Sequence, residues 1–149
     1  LAGWIDPGNL KVNWEMYVTN PLYKPALAKF LWYDGWASLE NQNGQWTFYN
    51  PQEPSKKEQV IKVDWIHKNE TDASLAFENV WDSHEEKGDI LEYIVKDDDR
   101  TMAFFDKSEN LDWTIYWHAV TTAGYLHVPD YNDGEPAYWD ENHNDVEAP

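Results

Sequence analysis

The side chains able to do chemistry in this chain are carboxylates, imidazoles and aromatic rings. There is no Cys, which removes thiol catalysis, thiolate metal sites and a disulfide framework. His67, His84, His118, His127 and His143 match neither an HExxH helix nor a zinc-finger spacing. His118 and His127 would face each other as a metal pair, with a carboxylate nearby, if the last strands pair; a scattered imidazole in a sheet is more often structural or solvated. Ser38, Ser55, Ser74, Ser83 and Ser108 sit in no GxSxG elbow, and no Gly-rich phosphate loop occurs. No linear pattern marks a glycosidase-like carboxylate pair. The chain reads as a non-enzyme.

Two acidic clusters carry the oxygen donors that calcium prefers, six to eight hard ligands from turns rich in Asp and Asn. One is Asp97, Asp98 and Asp99; the other is Asp130, Asn132, Asp133 and Glu135, with Asp140 nearby. Neither has EF-hand spacing, since Gly134 falls one place early after Asp130. Solvated turn carboxylates are the simpler reading, so no cofactor is required and calcium is the one candidate. Asn69-Glu70-Thr71 is a glycosylation sequon placed in a turn.

Aromatic rings offer the more specific clue. Ten Trp, nine Tyr and five Phe exceed what a core of this size needs. Trp14, Trp65, Trp113 and Trp117 fit inner strand positions. Trp4, Trp36, Tyr131, Tyr138 and Trp139 fall in turns or tails, where flat exposed rings stack on sugars or anchor protein interfaces.

These residues need a frame, and the frame is β. Residues 58–81 put Ile61, Val63, Trp65 and His67, then Ala73, Leu75, Phe77 and Trp81, at alternate positions on either side of a polar turn at 68–72. Period-two alternation means strands with one buried face, here a hairpin. Residues 10–18 alternate as cleanly, with Leu10, Val12, Trp14, Met16 and Val18 on one side. Residues 26–33 favour a strand that Asp34-Gly35 ends early, and Asn41-Gln42-Asn43-Gly44 reads as a strong turn. Further strands are expected at 45–49, 90–96, 101–105, 112–120 and 125–128, with inner residues including Tyr93 and Ile115. About eight strands at even spacing predict an all-β fold, an antiparallel two-sheet sandwich of jelly-roll or immunoglobulin-like form. It occupies a single domain over residues 1–128. Residues 129–149, rich in Pro, Asp and Asn, read as an extended tail.

The 149 residues suit one domain. With 11 Lys plus Arg against 28 Asp plus Glu, the formal charge is −17, which repels phosphate backbones and anionic lipid. Neither nucleic acid nor membrane insertion is expected, since no apolar run has spanning length. The opening at Leu1 suggests a processed chain and an extracellular setting.

Ala2-Gly3 leading into Gly8-Asn9-Leu10-Lys11-Val12-Asn13-Trp14 resembles the mature start of camelysin/TasA-type proteins. Leu111-Asp112-Trp113-Thr114-Ile115-Tyr116-Trp117-His118-Ala119 is similar to that family's closing strand, and 63–69 running into 75–79 to its strand, Asn turn, strand unit. The chain departs in carrying Glu70 where a Gly is usual and in its many Trp. The resemblance implies a secreted sandwich that forms biofilm-matrix filaments, a homopolymer joined by donated N-terminal strands. Leu10, Val12, Trp14, Met16 and Val18 would be the donor side chains, with Asp6-Pro7-Gly8-Asn9 as the hinge. An open sheet edge makes such donation physically sound, and head-to-tail addition does not close. The alternative is a carbohydrate-binding module stacking polysaccharide on Trp4, Trp36, Tyr131 or Trp139.

Overall fold

Alternation along the chain becomes twelve strands in the computed structural model, which describes residues 1–148. They are β1 (Ala2–Asp6), β2 (Lys11–Asn20), β3 (Leu27–Ser38), β4 (Asn43–Tyr49), β5 (Gln59–Asn69) and β6 (Asp72–Asn79). There follow β7 (Ile90–Lys96), β8 (Asp99–Asp106), β9 (Leu111–His118), β10 (Gly124–His127), β11 (Ala137–Trp139) and β12 (Asp145–Val146). One 3₁₀ turn, Asn132–Gly134, is the sole helical element among the described residues.

All twelve belong to one antiparallel sheet whose spatial order is the chain order, and the sheet does not close on itself. The expected all-β antiparallel class is present. The expected division into two sheets of about eight strands is not: a jelly roll or immunoglobulin fold needs crossovers between layers, and this strand order has none. The reason lies in the links. Short hairpin turns can only add the next strand to the same edge, and the longer links at 50–58 and 80–89 also return to the neighbouring strand.

Six hairpin turns use one device. Leu10, Gln42, Asp97, Asn110, Thr122 and His143 each take φ between 50° and 62°, immediately before or close to the start of the next strand. A left-handed residue there turns the chain into register. Asp6 stiffens the first turn: its Oδ1 accepts from the Gly8 amide at 2.9 Å and its Oδ2 from Asn9 Nδ2 at 2.7 Å.

Two glycines read as punctuation are strand residues. β3 runs through Gly35 to Ser38, and Gly44 lies within β4. Each sits under indole rings. A β-carbon on Gly35 would stand 2.6 Å from Trp46 Cδ1 and 2.9 Å from Trp14 Cε2, and one on Gly44 would stand 2.5 Å from Trp65 Cζ2. Gly124 has the same relation to Trp139, at 2.7 Å. Large rings thus lie flat on the sheet where glycine leaves room, which restores the packing that a side-chain-free strand position lacks.

Residues 129–148, expected as a tail, instead extend the sheet. β11 pairs with β10 through Tyr125↔Tyr138 and Leu126↔Ala137, and β12 pairs with β11.

Candidate functional site

Register places the predicted inner residues that lie in strands on one face; Trp81 falls outside β6, in the 80–89 link, with its ring stacked on His84. The central row runs Trp46, Val63, Phe77, Leu91, Phe104, Trp113 across β4 to β9. The next row runs Gly44, Trp65, Leu75, Tyr93, Met102, Ile115, Leu126. Val12 and Trp14 share this face through Val12↔Ala37 and Trp14↔Gly35. Alternation had shown which side was apolar; it had not shown that no sheet or helix would cover it.

The result is an apolar face with little above it. Val63 is 1% exposed, whereas Phe77 is 39%, Trp113 42% and Ile115 38% exposed. Trp113, expected in the core, is therefore half open. Formal charge along the paired positions of this face from β1 to β11 occurs only at Arg100 and the turn residue Asp106. Shallow apolar depressions lie along it, about 310 Å³ between Leu91, Met102, Phe104, Trp113 and Ile115 and about 250 Å³ between Trp46, Trp65, Leu75 and Tyr93. Aromatic pairs pave it: Phe104 and Trp113 at 5.4 Å, Tyr93 and Trp117 at 6.1 Å.

The opposite face carries the charge, with Glu15, Asp34, Lys62, Glu78 and Asp112 in paired positions. It also holds two aromatic groups. Trp4, Asn13 and Trp36 form one cross-strand row on β1 to β3, with Lys11 Nζ 3.5 Å from the Trp36 ring centre. Trp4 is 49% exposed. At the far end, Tyr116, Tyr125 and Tyr138 form a row on β9 to β11, with ring centres 5.3 and 5.7 Å apart. A cleft of about 630 Å³ opens beside them, lined also by His118, Trp139 and Asp140. Asp99 accepts from the Tyr116 hydroxyl, and that hydrogen bond raises the phenol pKa.

The four predicted stacking residues therefore do not form one platform. Trp4 and Trp36 come together; Trp139 lies on the other face beyond seven intervening strands, and Tyr131 lies in the link after β10. The tyrosine row escaped sequence reading because Tyr138 fell in a segment assigned no strand. Its only signal was the spacing of Tyr116 and Tyr125 about a five-residue link.

The acidic groups sit in turns. Asp97 and Asp98 make the β7–β8 turn, where Arg100 Nη1 donates to the Asp97 and Asp99 carbonyls at 2.8 Å. Asp130, Asn132, Asp133 and Glu135 surround the 3₁₀ turn, whose Asn132 Nδ2 donates to the Glu135 carbonyl at 3.1 Å. No group of three or more His, Cys, Asp or Glu side chains suited to a metal converges among the described residues. β9 and β10 do pair, but His127 faces Thr114, while His118 lies at the other end of β9, beside the Ala123 carbonyl. The short link after His118 sets that register, so the two imidazoles do not meet. Asn69 ends β5 in an exposed turn, its Oδ1 accepting from the Thr71 amide at 2.8 Å.

Of the donor-strand residues, Leu10 closes the first turn, and Val12, Trp14, Met16 and Val18 lie in β2, paired to β3 within the same chain. β1 covers β2 from Lys11 to Glu15. Asp6-Pro7-Gly8-Asn9 is thus a hairpin turn here. The free edges of the sheet are β1 and β12.

No protein-family model, curated protein or solved structure matches this chain.

Proposed function

We propose that the chain is an extracellular structural subunit whose sheet is continued by the sheet of the next copy, giving a surface or matrix filament. One observation carries this reading: the sheet is open and in chain order, so it ends in two unlike edges, β1 and β12. An unpaired edge strand is a template for another chain, through its backbone amides and carbonyls. Unlike edges joined head to tail do not close, so addition continues. Because β2 is held on both flanks, the strand offered to a neighbour is β1, with Ala2, Gly3, Trp4 and Ile5 all exposed. This keeps the strand-supply principle of the camelysin/TasA-type resemblance while moving the donor upstream of residues 10–18. The strong negative charge keeps monomers soluble until contact, and the exposed Asn69 suits a secreted surface.

Electron microscopy of purified protein over a range of concentration and salt tests it. Filaments are expected, and Ile5→Pro, which removes a donor from the β1 edge, should shorten or abolish them. Discrete particles under all conditions overturn the reading.

A second reading, polysaccharide binding, is favoured by the Tyr116–Tyr125–Tyr138 row beside its cleft and by the Trp4–Asn13–Trp36 row. Each combines ring faces with polar neighbours. Affinity electrophoresis across neutral and acidic polysaccharides decides it: retardation lost in Tyr125→Ala or Trp4→Ala supports it, and unretarded migration on every gel removes it.

A further inference from the structure

We infer that the uncovered apolar face is a homodimer interface, on which two copies of the chain stack face to face to complete a two-layer sandwich. A compact chain of 17.6 kDa exposes about 7,900 Å² by the usual scaling of surface with mass, whereas this one exposes 10105 Å². The excess is about 2,200 Å² per chain, so two copies together would hide about 4,400 Å², within the ~2,000–5,000 Å² of obligate homodimers. The exposed residues are those of a domain core cut in half: Ile61, Phe77, Leu91, Met102, Trp113 and Ile115, all on one face.

Charge identifies the occupant. A chain of −17 would ordinarily attract a basic partner, yet this face holds no carboxylate away from its margin to receive one. Its complement is a surface equally apolar and as poor in charge, carrying only Arg100 and the marginal Asp106, and a second copy presents one. Sheets stack about 10 Å apart with strands about 30° askew, which leaves both charged faces outward. Repulsion between the two acidic outer faces is then long-range and falls with ionic strength, whose screening length is ~8 Å at 0.15 M. The depressions between Leu91 and Ile115 and between Trp46 and Tyr93 would receive rings from the facing sheet. This pairing uses the face and the filament uses the edges, so either can fail alone.

The test is sedimentation equilibrium of the full chain from low to high micromolar concentration, in low and high salt. Ile5→Pro, which no longer extends filaments through β1, should give twice the 17.6 kDa chain mass, more completely at high salt, and wild type should give that mass or multiples of it. Phe77→Asp and Ile115→Asp, each combined with Ile5→Pro, should give the single chain mass while keeping a β-sheet far-ultraviolet spectrum. Should either variant lose that spectrum, spin labels on Met102→Cys, the sole thiol in a Cys-free chain, decide the matter. Strong interchain dipolar coupling there, with weaker coupling for Lys62→Cys on the other face, supports the dimer. Wild type at one chain mass throughout, a dimer untouched by both Asp variants, or no interchain coupling at Met102→Cys overturns it.

Discussion

The indole of Trp65 lies across Gly44, its directly opposed cross-strand neighbour, close enough that a β-carbon on Gly44 would stand 2.5 Å from the ring. The glycine is needed for space, since its φ is not in the left-handed range. Gly44→Ala should therefore destabilise by about 1–3 kcal/mol, the usual cost of overpacking. Trp65→Ala should cost about 2 kcal/mol, less than for a fully enclosed Trp, because the ring is half-buried. In Gly44→Ala/Trp65→Ala the sum should fall short of additive only by the ring's share, since the new methyl still meets the Trp36 backbone carbonyl, its nearest neighbour, after the ring is gone. Urea unfolding of the four proteins checks this, and additive losses would show that the ring and the glycine are independent.

Val63 is the largest fully buried side chain, and Phe77 is its cross-strand partner. Val63→Ala should cost about 2 kcal/mol. Phe77→Ala, in protein kept monomeric by Ile115→Asp combined with Ile5→Pro, should cost no more than that despite removing more atoms, because the ring is already 39% exposed. Chemical denaturation of the monomeric background measures both.

Leu10 holds a left-handed backbone at φ 50°, which a non-glycine residue adopts at a cost of about 1 kcal/mol. Asn tolerates that region better, so Leu10→Asn should stabilise by about 0.5 kcal/mol. A lower thermal midpoint for Leu10→Asn would mean that the Leu side chain contributes more by packing than the turn loses by strain.

Acid should unlock the turns. Hydrogen bonds hold the carboxyls of Asp6 (from Asn9 and the Gly8 amide), Asp106 (from Ser108 and the Glu109 amide) and Asp140 (mainly from Asn144) below the usual range. Asp72 is lowered by Lys96, then Lys68. A depressed folded pKa contributes stability that is present above the unfolded value, 3.8, and lost as pH falls through the folded one. Unfolding midpoints should drop below about pH 4, and Asp72→Asn should flatten part of that slope.

At the alkaline end, burial and a 2.7 Å hydrogen bond to Asp34 push the Tyr49 phenol up to about 12. A raised folded pKa contributes stability that is complete below the unfolded value near 10 and lost as pH rises toward about 12. Spectrophotometric titration should show a phenol titrating near 12, absent in Tyr49→Phe.

Strand identity and facing were legible because period two survives any tertiary context: Val12, Trp14, Val63, Trp65, Leu75, Tyr93 and Trp117 share a face as their spacing requires. Layer number was not legible, because alternation records a face that avoids water and leaves open what covers it. Gly35 and Gly44 misled for a related reason. A glycine next to Asp or Asn signals a turn locally, and only register shows that an indole from the next strand occupies its missing side chain. His118 and His127 illustrate the same limit, since their separation was decided by the link length between β9 and β10.

Strand order identical to chain order means that each strand is paired only with the strands before and after it in the chain. Closing such loops costs little entropy, so hairpins can zip one after another from either end or from the middle, and ordering should be fast for an all-β chain. Energetically the sheet behaves as a line of units coupled to nearest neighbours, in the manner of repeat arrays. Adding or deleting a whole hairpin would then change its length without changing its topology.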